Sequence, residues 1–157
     1  MQVHGVTPIL NVSSVEASIE WFAHLGWTCG FAHNADGFLE PGLTRNASGP
    51  ATFASVQFGK GQVFLCQDGQ GLRGGKPARF DGDDDTGATW MSIWLGSPAE
   101  VDEAHQLALR HGMTVIWPPT DEPWGVRECR LMHPDGHVFR FSGSVRQDEP
   151  REPAPST

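Results

Sequence analysis

From Val6 to Val12 the chain alternates, with Pro8, Leu10 and Val12 on one side and Thr7, Ile9 and Asn11 on the other, the period of a half-buried strand. The period then lengthens. Val15, Ile19, Phe22 and Leu25 recur at helical spacing, Ser13 with Glu16 three residues on supplies a capping box, and Gly26 is placed to end the helix. Three strand-like runs follow, Trp27 to Ala32, Thr52 to Phe58 and Gln62 to Gln67, the last two joined by a Gly59-Lys60-Gly61 turn.

The same order returns from Trp90. Trp90 to Leu95 reads as a strand; Ser97, Pro98 and Glu100 supply an N-cap, a proline at the first helical position and a capping-box partner. Val101, Ala104, Leu107 and Ala108 form the apolar stripe of this second helix, and Gly112 ends it. Met113 to Trp117, Val126 to Met132 and His137 to Ser142 complete the repeat, the last two strands turning at Pro134, Asp135 and Gly136. The pattern predicts an α+β protein of two βαβββ modules, residues 6–67 and 90–142, within a domain spanning residues 1–142. Segments 34–50 and 68–87 read as long loops, and residues 143–157, with three prolines and almost no apolar side chains, read as a disordered tail.

Composition narrows the class. Across 157 residues the hydrophobic share is 38% and the charged share 19%, with six Trp and nine Phe, enough apolar material for a real core. A chain of this length buries roughly 70% of the surface its unfolded form exposes. A net charge of -8 with no basic stripe removes nucleic acid from the expected partners, since neutralising phosphates needs clustered Lys and Arg. Cys29, Cys66 and Cys129 are odd in number and form no CxxC pair, which predicts buried thiols in a reducing compartment. No basic segment precedes an apolar run at the N-terminus, and no stretch approaches the roughly 18 apolar residues of a membrane span. A cytoplasmic protein with no membrane partner is the expectation.

Two segments resemble a known family. Thr7-Pro-Ile-Leu-Asn-Val-Ser-Ser-Val-Glu-Ala-Ser-Ile-Glu-Trp-Phe-Ala-His-Leu-Gly26 is similar to the opening strand and helix of the vicinal oxygen chelate superfamily, which joins glyoxalases, bleomycin-resistance proteins and extradiol dioxygenases. Pro123-Trp-Gly-Val-Arg-Glu-Cys-Arg-Leu-Met-His-Pro-Asp-Gly-His-Val-Phe-Arg-Phe141 resembles its closing hairpin and is the more specific of the two. The resemblance implies that each module curls a mixed sheet into a half-barrel with its helix on the outer face. Leu10, Val12, Phe139 and Phe141 would then face helices, while Thr7, Ile9, Trp90, Ser92, Trp94, Val138 and Arg140 would face the concave side. It also implies a homodimer with grooves shared between chains.

Metal-dependent members place His and Glu ligands on the first and last strands of each module. Here Thr7, Phe64, Trp90 and Arg140 align with those four positions. None is a normal ligand, and a guanidinium has no lone pair to give. Register shifts of two residues would offer Ile9, Cys66, Ser92 and Val138, of which only Cys66 could ligate. The resemblance is therefore closest to the metal-free, bleomycin-resistance-like branch, which implies no metal, no cofactor and no catalytic residue, and a flat aromatic or charged small molecule, such as an antibiotic, as the ligand. The alternative is a lyase, isomerase or dioxygenase with a metal on non-standard ligands. A third reading is an accessory module whose cavity is filled by its own Trp and Phe.

The candidate ligand-binding residues are Thr7, Ile9, Phe64, Trp90, Trp94, Trp124, Glu128 and Arg140. Trp90 and Trp94 share one strand face and suit either stacking on a flat ligand or core packing. The Pro134-Gly136 turn sets Arg130 opposite Arg140 with Glu128 diagonal to it, so Glu128 can neutralise one of the two arginines. That pair either holds the sheet or leaves a spare charge to orient an acidic or carbonyl group. Trp124 either caps the groove or packs a turn. The seven His, including His133 and His137, read as surface and turn residues, and the run Asp81 to Asp85 reads as a solvated loop that lacks the Gly and Glu of a calcium loop.

Overall fold

The chain is seen in a computed structural model that describes residues 6–67 and 90–145. Its first part runs β1 (Ile9–Val12), α1 (Val15–Ala23), β2 (Thr28–Asn34), β3 (Gly37–Phe38), β4 (Arg45–Asn46), β5 (Gly49–Pro50), β6 (Phe53–Phe58) and β7 (Gly61–Gln67). The second runs β8 (Trp90–Leu95), α2 (Pro98–Arg110), β9 (Thr114–Glu122), β10 (Val126–Met132) and β11 (Val138–Ser144). The sheets are ordered β1-β7-β6-β2-β3 and β8-β11-β10-β9, so in each the first strand lies beside the last. That contact is parallel in both, β1 with β7 and β8 with β11, and the remaining pairings are antiparallel. The result is two mixed, open sheets of one α+β design.

Alternation sorts each sheet into two faces. Leu10, Val12, Val56, Leu65, Leu131, Phe139 and Phe141 are buried against the helices and one continuous core. Helix α1 ties the halves together, because Trp21 and Phe22 both reach Phe139 of β11, with ring centroids 5.1 and 5.3 Å apart. Burying side chains of this size stabilises by roughly 2–3 kcal/mol each, which makes the aromatic seam a main source of cohesion between the modules.

Several local expectations are corrected. The cap of α1 is Ser14, whose hydroxyl accepts from the Ala17 N–H at 3.2 Å, and not Ser13. Glu16 therefore stands outside a capping box and binds Thr44 and Arg45 instead. Segment 34–50 is built rather than loose: β3 folds back on β2, β4 pairs with β5, and Asn34 donates to Asn46 at 2.7 Å and to the Gly49 carbonyl. Strand β9 continues to Glu122 through Pro118 and Pro119, which an edge strand tolerates because no neighbour needs their missing N–H. Strand β11 runs to Ser144, two residues past the expected end, because β10 offers Arg127 and Val126 as partners for Gly143 and Ser144. The Asp81 to Asp85 run and most of the expected tail lie outside the described residues.

At Gly143 the backbone of β11 meets the start of α2. A Cβ there would stand 2.4 Å from the Ser97 carbonyl oxygen and 2.9 Å from the Pro98 nitrogen, both main-chain atoms that cannot rotate away. Gly143→Ala should therefore push the sheet from its helix and cost about 2 kcal/mol. A urea titration that finds the alanine variant as stable as the parent would show that this contact gives way easily.

Candidate ligand-binding face

The second sheet carries its other set of side chains on the face away from α2. In register across β8, β11 and β10 this face carries Trp90 beside Val138, Ser92 beside Arg140 and Arg130, and Trp94 beside Ser142 and Glu128. On β9, bulges break the simple alternation and bring Trp117 opposite Arg130. Glu128 is 0% exposed and receives both arginines, Arg130 Nε on Oε1 at 2.8 Å and Arg140 Nη2 on Oε2 at 2.5 Å, with Ser142 Oγ 3.4 Å from Oε2. The guanidinium of Arg130 also lies 5.6 Å from the ring centre of Trp90 and 5.5 Å from that of Trp117. Burial alone would raise the Glu128 carboxyl, but the hydrogen bonds from Arg140 and Arg130 outweigh it and hold the group below the usual carboxylate range. Glu128 thus answers both arginines and not one, and it is ionised at neutral pH.

Of the candidate residues, Trp90, Glu128 and Arg140 come together here. Trp94 shares their strand face but is 63% exposed, and it borders a groove of about 720 Å³ that runs beside β8 between the modules, with Trp27, Phe58 and Gln62 on the facing side. Trp124, 59% exposed, sits on the β9–β10 turn. Thr7, Ile9 and Phe64 belong to the first module: Thr7 Oγ1 donates to Gln62 Oε1 at 3.3 Å, and Ile9 pairs with Phe64. Around Phe64 lies an aromatic patch that sequence reading missed, in which Phe31, Phe53 and His33 stack or meet edge-on at 5.3 to 6.1 Å. Arg130 against Trp90 and Trp117 was equally unseen.

Those registers bear on the four metal positions that the resemblance implies. The first strand meets the last at Ile9 and Phe64 and at Ser92 and Arg140, two residues from the alignment of Thr7 with Phe64 and of Trp90 with Arg140. With either set, the side chains are hydrocarbon, indole, hydroxyl and guanidinium, and these do not fit a divalent transition ion. Among the described residues no three His, Cys, Asp or Glu side chains gather as such an ion would require. Cys66 and Cys129 are buried, burial pushes Cys129 up to about 12, and burial also raises the half-buried Cys29.

His133 and His137 are corrected from surface residues to buried ones, each 1% exposed. Both flank the β10–β11 turn and both bind the first module. The Asp135 N–H donates to His133 Nδ1 at 3.1 Å, so the ring proton sits on Nε2 and points to Ser18 Oγ of α1 at 3.0 Å. His137 Nε2 donates to the Asn11 carbonyl of β1 at 2.8 Å, and Asp135 Oδ2 accepts from the Ser13 N–H at 2.9 Å. Desolvation lowers His133 from 6.5 to about 4. A polar latch therefore joins the last hairpin to the first strand and helix.

A family model described as the Glyoxalase/Bleomycin resistance protein/Dioxygenase superfamily matches residues 3–141. No curated protein matches the chain. Among solved structures, TioX from Micromonospora sp. ML1 is 19% identical with a TM-score of 0.60, over 89% of this chain and 99% of that one. A glyoxalase-related enzyme from Clostridium phytofermentans is 17% identical with a TM-score of 0.61, over 92% and 98%. A bleomycin-binding protein complexed with bleomycin is 16% identical with a TM-score of 0.56, over 90% and 99%. At these identities the likeness is one of fold.

Proposed function

The chain belongs to the glyoxalase, bleomycin-resistance and dioxygenase superfamily, and on that premise we propose that it is a metal-free small-molecule-binding protein of the bleomycin-resistance type, taking a flat aromatic or charged compound such as an antibiotic. The observation that carries this reading is the sheet face where Arg130 lies against Trp90 and Trp117 beside the Glu128–Arg140 pair. Large indoles and a part-exposed guanidinium offer stacking and directional hydrogen bonds, the two elements a small-molecule site combines. A neighbour in fold complexed with bleomycin supports the same reading.

The protein works as a homodimer in this proposal. Strand β8 pairs only with β11 among the described residues, and the N–H and C=O groups of its outer edge face the inter-module groove, with Trp94 exposed beside it. A second copy on that edge would satisfy those groups and wall the ligand face. No helix among the described residues is long and apolar enough to cross a membrane, and the compartment proposed is the cytoplasm.

Elemental analysis of protein purified without chelators, paired with Trp fluorescence during addition of a panel of aromatic antibiotics, tests the reading. Saturable quenching with no bound metal is expected. Trp90→Ala should abolish the quenching by the bound compound while leaving the circular dichroism of the fold in place. Near-stoichiometric transition metal would overturn the proposal, and so would a Trp90→Ala variant that binds as the parent does.

A further inference from the structure

A crevice at the seam of the two modules lies apart from the sheet face described above. It holds about 450 Å³ between Trp27 and Phe58 of the first module and Ile93, Leu95 and Leu107 of the second. Ile93 and Leu95 alternate with Trp94 along β8, so the crevice lies on the α2 side of that strand. Trp27 gives it a firm wall. The indole is 7% exposed, its ring lies 5.2 Å from that of Phe22 and 6.2 Å from that of Phe58, and a Cβ on Gly61 would stand 3.3 Å from it. Phe58, at the end of β6, is half exposed. The volume falls within the roughly 300–1,000 Å³ of small-molecule sites, whose walls are mostly apolar with a few placed polar groups.

The polar side chains that line this crevice are two carboxylates. Glu100 and Glu103 stand three positions apart on α2, which sets them one turn apart on the same flank. Glu100 Oε2 accepts the Gly96 N–H at 2.7 Å, and its Oε1 has no partner among the described residues. Glu103 is exposed and makes no ion pair among the described residues. No lysine, arginine or histidine among the described residues lines the crevice, and Lys60 lines the wider groove instead. Apolar walls beside two carboxylates suit an amphipathic cation. A hydrocarbon body displaces water from Trp27 and Phe58, while an ammonium hydrogen-bonds to a carboxylate and lies against an aromatic face. An anion would meet like charge there.

We propose that this crevice is a second binding site, for small aromatic amines, with the ring of the ligand between the Trp27–Phe58 wall and β8 and its ammonium at Glu103 and Glu100. The site does not depend on the Trp90 face and stands even if that face binds nothing.

Three probes with one bicyclic body test it by calorimetry on the full chain: 2-naphthylmethylammonium, 2-naphthalenemethanol and 2-naphthoate. The ammonium should bind about 5-fold more tightly than the alcohol, the scale of one ion pair near the surface, with the carboxylate weakest. Glu103→Gln should bring that ratio to about 2, and Glu100→Gln combined with Glu103→Gln to about 1. The amides keep the side-chain volume and the acceptor for Gly96 without the charge. Phe58→Ala should weaken the ammonium and the alcohol alike by about 5-fold, while Trp90→Ala should leave both as they are. Glu103 and Phe58 are exposed, so their variants should fold, with circular dichroism as the check. An ammonium that does not bind, a naphthoate that binds as tightly as the ammonium, a ratio that survives the double glutamine variant, or an affinity unmoved by Phe58→Ala overturns the site. Loss of amine binding in Trp90→Ala would move the amine to the sheet face and overturn it equally.

Discussion

Glu128→Gln is expected to cost 3–5 kcal/mol, the penalty of removing one partner from a buried ion pair. The amide would keep the shape of the side chain but turn an N–H₂ donor toward a guanidinium that can only donate. One arginine would keep an acceptor in the amide oxygen while the other met the N–H₂, and the charge of Glu128 would be gone, in a domain whose whole stability is of the order of 5–15 kcal/mol. The melting point should fall by roughly 10 °C, read by calorimetry with urea titration as the check. Arg127→Ala is the control. That arginine bridges Asp102 and Asp121 at 2.8 Å each, but Asp121 is mostly exposed, and solvent screening should limit the loss to about 1 kcal/mol or less. Equal losses in the two variants would show that the Glu128 cluster is no more than a surface network. Replacing all three members of such a cluster by apolar residues is often neutral, so an Arg-Glu-Arg arrangement is not needed for folding as such.

Acidification from pH 7 should weaken the fold in two steps. His133 is neutral in the native state and titrates near 4, whereas in the unfolded chain it titrates near its ordinary value of 6.5. Between those values the unfolded chain binds more protons, so stability is full above pH 6.5 and drains away as pH falls toward 4. The drop corresponds to on the order of 3 kcal/mol. Desolvation is the main cause, opposed by Asp135 and reinforced by His137. Glu128, with its folded value lowered, contributes stability that disappears only once pH falls below its ordinary 4.5. The two contributions therefore occupy different windows. His133→Gln, which retains a donor toward Ser18, should flatten the stability curve between pH 6.5 and 4.5 and leave the steeper fall below it. A parent curve already flat over that upper window would show that the His133 ring accepts its proton without cost.

Much of the architecture could be read from residue order because the signals that carry it are local. Alternation placed Leu10, Val12, Phe139 and Phe141 toward the core, where they are buried, and the glycine stops and turn residues divided the chain into two like halves. The Glu128, Arg130 and Arg140 cluster was legible for the same reason, since a tight turn fixes an antiparallel register. What could not be read depends on longer-range geometry. The parallel contact of β1 with β7 is set by how the intervening chain crosses the sheet, so Thr7 and Ile9 were indistinguishable as the neighbour of Phe64 until the sheet was seen. Trp117 escaped because the bulges of β9 change face without a mark in the hydrophobic pattern. His133 and His137 look like turn residues by position, and only their partners on α1 and β1 explain why they are buried.

The latch between the closing hairpin and the opening strand also bears on how quickly the native state can form. Ser13 with Asp135, Ser18 with His133 and Asn11 with His137 are separated by 122, 115 and 126 positions. Joining them closes nearly the whole described chain into one loop, and that entropy must be spent before the contacts return anything. The first module therefore waits, with β1 and α1 lacking their buried partners, until residues made more than a hundred positions later arrive. A slow final phase, with the aromatic face of α1 open to stray association until it completes, is the kinetic cost of a fold that fastens its beginning to its end.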